Sequence, residues 1–173
     1  MLIDAALPTP RGDVVADEWT LAVESLYERW APRVAEYARR MNVDPGGADE
    51  VMQESFARLL ATDPGRRPDE PIAWIFRVAH NLAMDRHRRR ARVRSVVVRT
   101  HPAPDEAIER AELWAHVEQL PERQRAAVFL RYRADLDFAT IARILEITES
   151  GARASVFRGL ANLRAKLEEE RRG

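Results

Sequence analysis

From Asp17 on, apolar residues recur three or four positions apart over most of this chain, and none of its segments alternates convincingly over the length of a strand. That spacing specifies helices and no convincing strand. From Asp17, the residues Leu21, Ser25, Leu26, Trp30, Val34, Tyr37, Ala38 and Met41 form a first stripe, ended by the turn cluster Asn42-Val43-Asp44-Pro45-Gly46-Gly47. Pro32 inside it predicts a kink or two shorter helices. A second helix is expected over about Ala48–Ala61, with Ala48, Val51, Met52, Phe56 and Leu59 inward and Asp49, Glu50, Gln53, Glu54 and Arg58 outward. The stretch from Thr62 to Pro71, rich in Pro, Gly and Asp, reads as irregular. A third helix follows over about Ile72–Arg92.

Ser95 to Asp105 reads as a linker, with Val96, Val97 and Val98 as a short extended contact. Beyond it four more helices are expected. They are Glu106–Gln119, then Glu122–Arg133 entered through Pro121, then Phe138–Leu145 capped by Asp137, and Glu149 to about Glu169 capped by Thr148. The fold class is all-α.

With no cysteine, disulfides, thiolate zinc sites, iron–sulfur clusters and cysteine nucleophiles are excluded. No apolar run approaches the ~20 residues that cross a bilayer, and Met1 to Pro10 lacks a basic start followed by an apolar core. Cytoplasmic residence, without membrane contact, is the expectation. The zero formal net charge conceals a segregation. Residues 1–70 carry 8 basic and 14 acidic side chains, residues 71–100 carry 8 and 1, and residues 101–173 carry 12 and 13. Lys166 is the only lysine; every other cation is arginine, whose planar fork suits phosphates and base edges.

Between Phe138 and Leu167 two helices are joined by Glu146-Ile147-Thr148, the spacing of a helix-turn-helix unit. Projection at ~100° per residue puts Ala152, Val156, Leu160, Leu163 and Leu167 on a core stripe of the last helix. The remaining face presents Ser150, Ala154, Phe157, Arg158 and Ala161, with Arg153 on its flank. Small side chains allow close approach to a major groove, arginine can donate two hydrogen bonds to guanine, and Phe can touch a thymine methyl. The same face also fits a surface helix whose arginines are solvated and whose Phe157 packs on a neighbour.

The helix from Ile72 would bury Ile72, Ile75, Phe76, Ala79, Leu82 and Ala83, leaving Trp74, Arg77, Asn81, Met84 and Arg88 on the opposite face. An aromatic to stack on, an amide for base edges and cations for the backbone are what unstacked nucleic acid requires. Arg86, Arg88, Arg89, Arg90, Arg92 and Arg94 extend the helix end into a phosphate-binding cluster. A solvated charged face with a packed Trp74 is the structural alternative.

Taken together, the chain from about Leu21 to Leu167 resembles the extracytoplasmic-function (ECF) sigma factors of bacterial RNA polymerase. The resemblance rests on ADEVMQESFARLL (Ala48 to Leu60), AWIFRVAHNLAMDRHRRR (Ala73 to Arg90), LPERQRAAVFLRY (Leu120 to Tyr132) and DFATIARILEITESGARASVFRGLANLR (Asp137 to Arg164). It implies a region 2-like domain over 18–94 and a region 4-like helix-turn-helix domain over 106–173 on either side of the linker over 95–105; residues 1–17, with Pro8, Pro10 and Gly12 and no sustained period, read as a loose tail. It also implies that Asp49, Glu50, Gln53, Glu54 and Arg58 meet the clamp of core RNA polymerase, with the flap as a second polymerase contact. Trp74, Arg77, Asn81 and Arg88 would face the melted -10 element as single-stranded DNA. The loop Asp63 to Glu70 matches the family's pocket for a flipped base, which must offset a few kcal/mol of lost stacking. Arg153, Phe157 and Arg158 match family positions facing the duplex -35 element, Ser150 and Ala154 share their face by projection although Ala154 replaces a usual polar residue, and an anti-sigma factor becomes a candidate partner.

The sequence departs from the family at the helix-turn-helix turn, where Glu146 stands in place of the usual glycine, and at the start of the last helix, which reads Ser150-Gly151-Ala152. His80, His87, His101 and His116 lack metal-ligand spacing, and no glycine-rich phosphate loop or Ser/His/Asp arrangement stands out. Asp85 with His80 or His87 reads as a local ion pair or DNA-flank contact. No cofactor, metal, small-molecule substrate or catalysis is expected. Two rival readings remain: a stand-alone helix-turn-helix regulator acting as a dimer, and a helical adaptor that binds only protein.

Overall fold

The computed structural model describes residues 17–41, 43–92 and 108–172, with the backbone alone for 90–92 and 108–112. The expected tail, the linker and its Val96–Val98 contact lie outside the described residues, apart from Asp17. Within them the helices are α1 (Glu18–Arg40), α2 (Pro45–Leu60), α3 (Pro71–Arg92), α4 (Ile108–Glu118), α5 (Glu122–Tyr132), α6 (Phe138–Leu145) and α7 (Glu149–Arg172). No strand occurs among the described residues. The loop after α2 contains one turn of 3-10 helix at Pro64–Arg66, where irregular chain was expected.

Local chemistry sets most of the helix starts. The Asp17 carboxylate accepts from the Thr20 amide at 2.7 Å, and Asp44 does the same for Gly47 at 3.2 Å ahead of Pro45 at the first turn of α2. Asp137 caps α6 through the Thr140 amide at 2.7 Å, a hydrogen bond that holds its carboxyl below the usual range. Thr148 accepts from the Gly151 amide at 3.1 Å at the start of α7.

Pro32 does not divide α1 into two shorter helices, and the first residues assigned to its core stripe lie on another face. A proline removes one backbone donor, and the burial of Trp30, Ala31, Val34 and Ala35 on either side of it outweighs one missing hydrogen bond. Leu21 is 54% exposed, and Ser25 is also exposed. At ~100° per residue Leu21 stands roughly 180° from Trp30 and 160° from Tyr37, so it cannot share their face; Val23 takes the inward position near that end.

The helices α1 to α3 pack on one another, as do α5 to α7, with α4 against α5 and α7. In the first group Trp30 and Tyr37 each meet Phe76 edge to face, at centroid distances of 5.9 and 5.6 Å. In the second, Val117, Leu120, Val128 and Leu163 form a small cluster of their own. Gly159 on α7 lets that helix approach α5 closely: a Cβ there would lie 2.7 Å from Val128 Cγ2.

The apolar interiors of the two halves also run together. Tyr37, fully buried, packs against Phe129 of α5 with ring centroids 5.3 Å apart and planes inclined by 55°, and α3 packs directly on α6. This second layer corrects the reading of α3. Met84, expected on its outward face, is only 7% exposed, because α2 covers one side of the helix and α6 another, widening the buried arc.

Candidate nucleic-acid interface

Turn geometry fixes how α7 is presented. Glu146 ends α6 with φ 54° and ψ 45°, the left-handed conformation that glycine adopts without steric cost. Ile147 and Thr148 then lead into α7. Ala152, Val156 and Leu163 are buried and Leu160 and Leu167 half-buried, as the projection requires. On the other side Phe157 is 66% exposed, Ser150, Arg153, Arg158 and Ala161 are exposed, and Ala154 is half-buried. Phe157 does not pack away on a neighbour, so the solvated-helix alternative loses its account of that residue.

Arg153 is already oriented. Its guanidinium donates to Glu149 Oε1 at 2.6 Å and lies over the Phe138 ring at 4.5 Å from the centroid. Ser150 Oγ is 3.1 Å from Thr148 Oγ1. The sequence reading missed the contributions of Phe138 and Glu149. The four-residue spacing of Glu149 and Arg153 signals their pairing, whereas Phe138 approaches only through the fold.

On α3 the expected nucleic-acid residues divide. Asn81 and Arg88 are exposed, Arg77 is half-buried, and Trp74 is half-buried and packed against the core. The indole therefore offers part of its surface for stacking, and the remainder anchors the helix. Asp85 pairs with Arg88 three residues on, and that hydrogen bond lowers its pKa; the expected ion pair with His80 or His87 is not the one formed. His80 instead faces inward, with Nδ1 2.8 Å from the Tyr37 hydroxyl, and burial lowers its pKa.

The outward residues of α2 are all exposed: Asp49, Glu50, Gln53, Glu54 and Arg58. Four of them are tied by ion pairs, Asp49 to Arg39 at 3.7 Å, Glu50 to Arg86 of α3 at 2.6 Å and Glu54 to Arg58 at 2.7 Å. Glu50, Gln53, Glu54 and Arg58 share with Asn81 and Arg89 an open groove of about 1000 Å³ between α2 and α3. The structure thus brings four of the five residues expected to face polymerase, all but Asp49, and the amide expected to face the -10 element to two walls of one groove. Trp74, Arg77 and Arg88 do not line it. A smaller apolar groove of about 260 Å³, lined by Val23, Tyr27, Phe56 and Leu60, shares Gln53 with the first. Sequence reading missed this groove, since Tyr27 and Leu60 fall outside the core stripes.

No group of three or more His, Cys, Asp or Glu among the described residues could hold a metal ion. Among them, no helix is long and apolar enough to cross a membrane.

A two-part helical fold with an exposed, arginine-flanked recognition helix defines a class of DNA-directed transcription proteins. Sigma-70 region 2 matches residues 26–93 and Sigma-70 region 4 matches residues 110–163. The ECF RNA polymerase sigma factor SigL of Mycobacterium tuberculosis is 30% identical over 85% of this chain and 89% of its own length. SigM of Bacillus subtilis is 23% identical over 84% of this chain and 94% of its own. SigE of Mycolicibacterium smegmatis is 29% identical over 82% of this chain, which spans 60% of that longer relative. Among solved structures, the sigma factor RpoE of Bartonella quintana, in complex with the anti-sigma factor NepR, superposes with a TM-score of 0.71 at 18% identity, over 85% of this chain and 97% of that one. CnrH, in complex with the cytosolic domain of CnrY, gives 0.62 at 24% identity over 86% and 89%. The chain belongs to the ECF sigma factors, the sigma-70 family of RNA polymerase.

Proposed function

We propose that this chain is a dissociable specificity subunit: it binds core RNA polymerase, directs it to a promoter and helps to separate the strands. The residues around 18–94 act as the polymerase-binding and -10 unit, and those around 106–173 as the -35 unit. Asp49, Glu50, Gln53, Glu54 and Arg58 dock on the clamp, with the apolar groove beside Tyr27 and Leu60 extending that surface. Trp74, Arg77, Asn81 and Arg88 hold the melted -10 strand, and the loop Asp63 to Glu70 takes a flipped base. Ser150, Arg153, Ala154, Phe157 and Arg158 read the -35 duplex while the same unit rests on the flap.

The observation that carries this reading is the 66% exposure of Phe157 between exposed Arg153 and Arg158 on a helix whose opposite side is core. Phe157 and its flanking arginines have the size and spacing for a major groove, where a phenyl ring can touch a thymine methyl and arginine a guanine edge. Phosphate contacts from the arginines supply affinity, and base-edge contacts supply sequence preference.

The protein supplies recognition and strand separation, and the polymerase supplies the chemistry; the chain is not an enzyme and works in the cytoplasm. RpoE and CnrH each have a protein partner in their solved complexes, and an anti-sigma factor is proposed here likewise. Run-off transcription with purified core polymerase over a promoter pool tests the reading. Start sites that depend on this protein are expected. Their absence, or tight duplex binding by a two-fold dimer without polymerase, would replace it with a conventional regulator.

A further inference from the structure

Resting on that reading, we infer that Phe138 and Glu149 are positioning residues that commit Arg153 to a guanine edge in the upstream duplex and withhold it from the phosphate backbone. Arg153 reaches the outer face of α7 already held from two sides. Its guanidinium donates to Glu149 Oε1 at 2.6 Å and lies 4.5 Å from the centroid of the Phe138 ring, while the side chain remains 53% exposed. Each hold has a local cause. Glu149 is the first residue of α7, one turn before Arg153 and on the same side of the helix. Phe138 is the first residue of α6, set by the Asp137 cap, and its half-buried ring packs against the core. The same ring carries the guanidinium of Arg131 at 5.4 Å, which donates to the Leu136 carbonyl at 3.1 Å and pairs with Asp135 at 3.9 Å. Each cation on the ring thus has its own carboxylate, which offsets their mutual repulsion.

Charge and geometry favour the base over the phosphate. Phosphate affinity comes from net positive charge, through the counterions that it releases. A carboxylate at hydrogen-bond distance cancels most of the charge that Arg153 could bring, and would itself be repelled by the backbone. A guanine edge asks for two donors held in one plane. The guanidinium has more donors than Glu149 takes up, and the ring beneath it fixes the plane. Ordering that a mobile arginine would undergo on binding is therefore largely complete in the free protein. Projection at ~100° per residue sets Arg153 about 40° from Phe157, on the exposed side and near the N-terminal end of α7, the part of a recognition helix that meets base edges.

Holoenzyme binding to a promoter selected by run-off transcription tests the brace, with each base pair of the upstream element replaced in turn and each titration repeated over a range of salt. Arg153→Ala should weaken binding to the natural element by roughly tenfold, only where one G·C pair is retained, with the salt slope unchanged. Phe138→Leu should lower the preference for that same pair several-fold, and Phe138→Tyr, which keeps the ring, should restore it. In an Arg153→Ala background Phe138→Leu should have no further effect on the preference. Glu149→Gln, an exposed change that the fold tolerates, should also lower the preference and steepen the salt slope by up to about one as Arg153 turns to a phosphate. Two results would overturn the brace. One is an equal loss on every sequence with Arg153→Ala and a slope lower by about one, the mark of a phosphate contact. The other is an intact preference in Phe138→Leu and Glu149→Gln, even with a lowered melting temperature, which would leave the ring to packing and the acid to the helix dipole. Cosedimentation separates these from failure of the sigma reading: if the natural chain does not associate with core polymerase, that reading falls and the brace with it.

Discussion

The hydroxyl of Tyr37 lies 2.8 Å from Nδ1 of His80, joining the last turns of α1 to the middle of α3 beneath Phe129 of the other module. Burial pushes the tyrosine pKa well up, so the phenol stays protonated and donates. Burial likewise lowers the His80 pKa, so a neutral imidazole accepts. Glu122 and Glu146 draw its pKa the other way, and Arg88 reinforces the lowering.

That pairing predicts an acid-sensitive fold. The His80 pKa is lower in the folded state than its ordinary value of 6.5, so the unfolded chain binds the extra proton first. The contribution of this group is fully present above about pH 6.5 and is lost as pH falls from there toward the folded value. Urea titrations at pH 7.5 and 5.5 should show a lower midpoint at the acid end, and His80→Gln should flatten the difference. An unchanged difference in the variant would assign the effect to other groups.

Removing only the donor tests the hydrogen bond itself. Tyr37→Phe keeps the ring against Phe76 and Phe129 but leaves Nδ1 without its partner. A loss of about 1–2 kcal/mol is expected, the penalty of an unsatisfied buried acceptor, measured by chemical denaturation. A loss below a few tenths would mean that water replaces the hydroxyl.

Glu146 holds a left-handed conformation that costs a non-glycine residue about 1–2 kcal/mol. Glu146→Gly should therefore raise the melting temperature, by an amount equivalent to up to about 1 kcal/mol after the greater freedom of glycine in the unfolded chain. A lower melting temperature would show that the side chain contributes more than its backbone strain costs.

At Gly159 the opposite substitution is unfavourable. Ala would gain about 1 kcal/mol of helix propensity, but its Cβ would meet Val128 Cγ2 at 2.7 Å and Gln124 at 3.5 Å. Gly159→Ala should destabilise by about 1–3 kcal/mol through overpacking, and adding Val128→Ala should recover part of the loss. Equal stability of the parent and single variant in thermal melts would mean that α5 and α7 separate without cost.

For function, Arg158→Ala should weaken upstream-duplex binding by the holoenzyme by about 1–3 kcal/mol if its contact is to a base, or reduce the salt slope by about 1 if it is to phosphate. Asn81→Ala and Trp74→Ala should impair promoter opening while polymerase association is retained. Footprinting and cosedimentation distinguish these outcomes. Parallel loss of opening and association would make α3 a structural helix only.

Helical period, caps and breakers were sufficient to locate the seven α-helices of the described residues, because each is a local property: Asp17, Asp44, Asp137 and Thr148 act within three residues of themselves. The exposed face of α7 was legible for the same reason, since one helix with one core stripe leaves one free side. The misplacements had different origins. Leu21 was assigned to a face that its angular position excludes. Pro32 was read as a kink or a division into two helices, and packing on both sides of it carries the helix through undivided. Trp74 and Met84 were assigned to an outward face because periodicity counts stripes and cannot count neighbours.

What the sequence by itself determined was the set of helices, the charge map and the residues that α2 and α7 turn outward. Tertiary structure alone decided that Met84 is buried, that His80 serves Tyr37 rather than Asp85, and that Phe138 braces Arg153. The physical reason is range. Hydrogen-bonded helices are settled within four residues, whereas burial depends on which apolar faces meet across tens of residues, and Tyr37 and Phe129 acquire their contact only when the two modules close on each other.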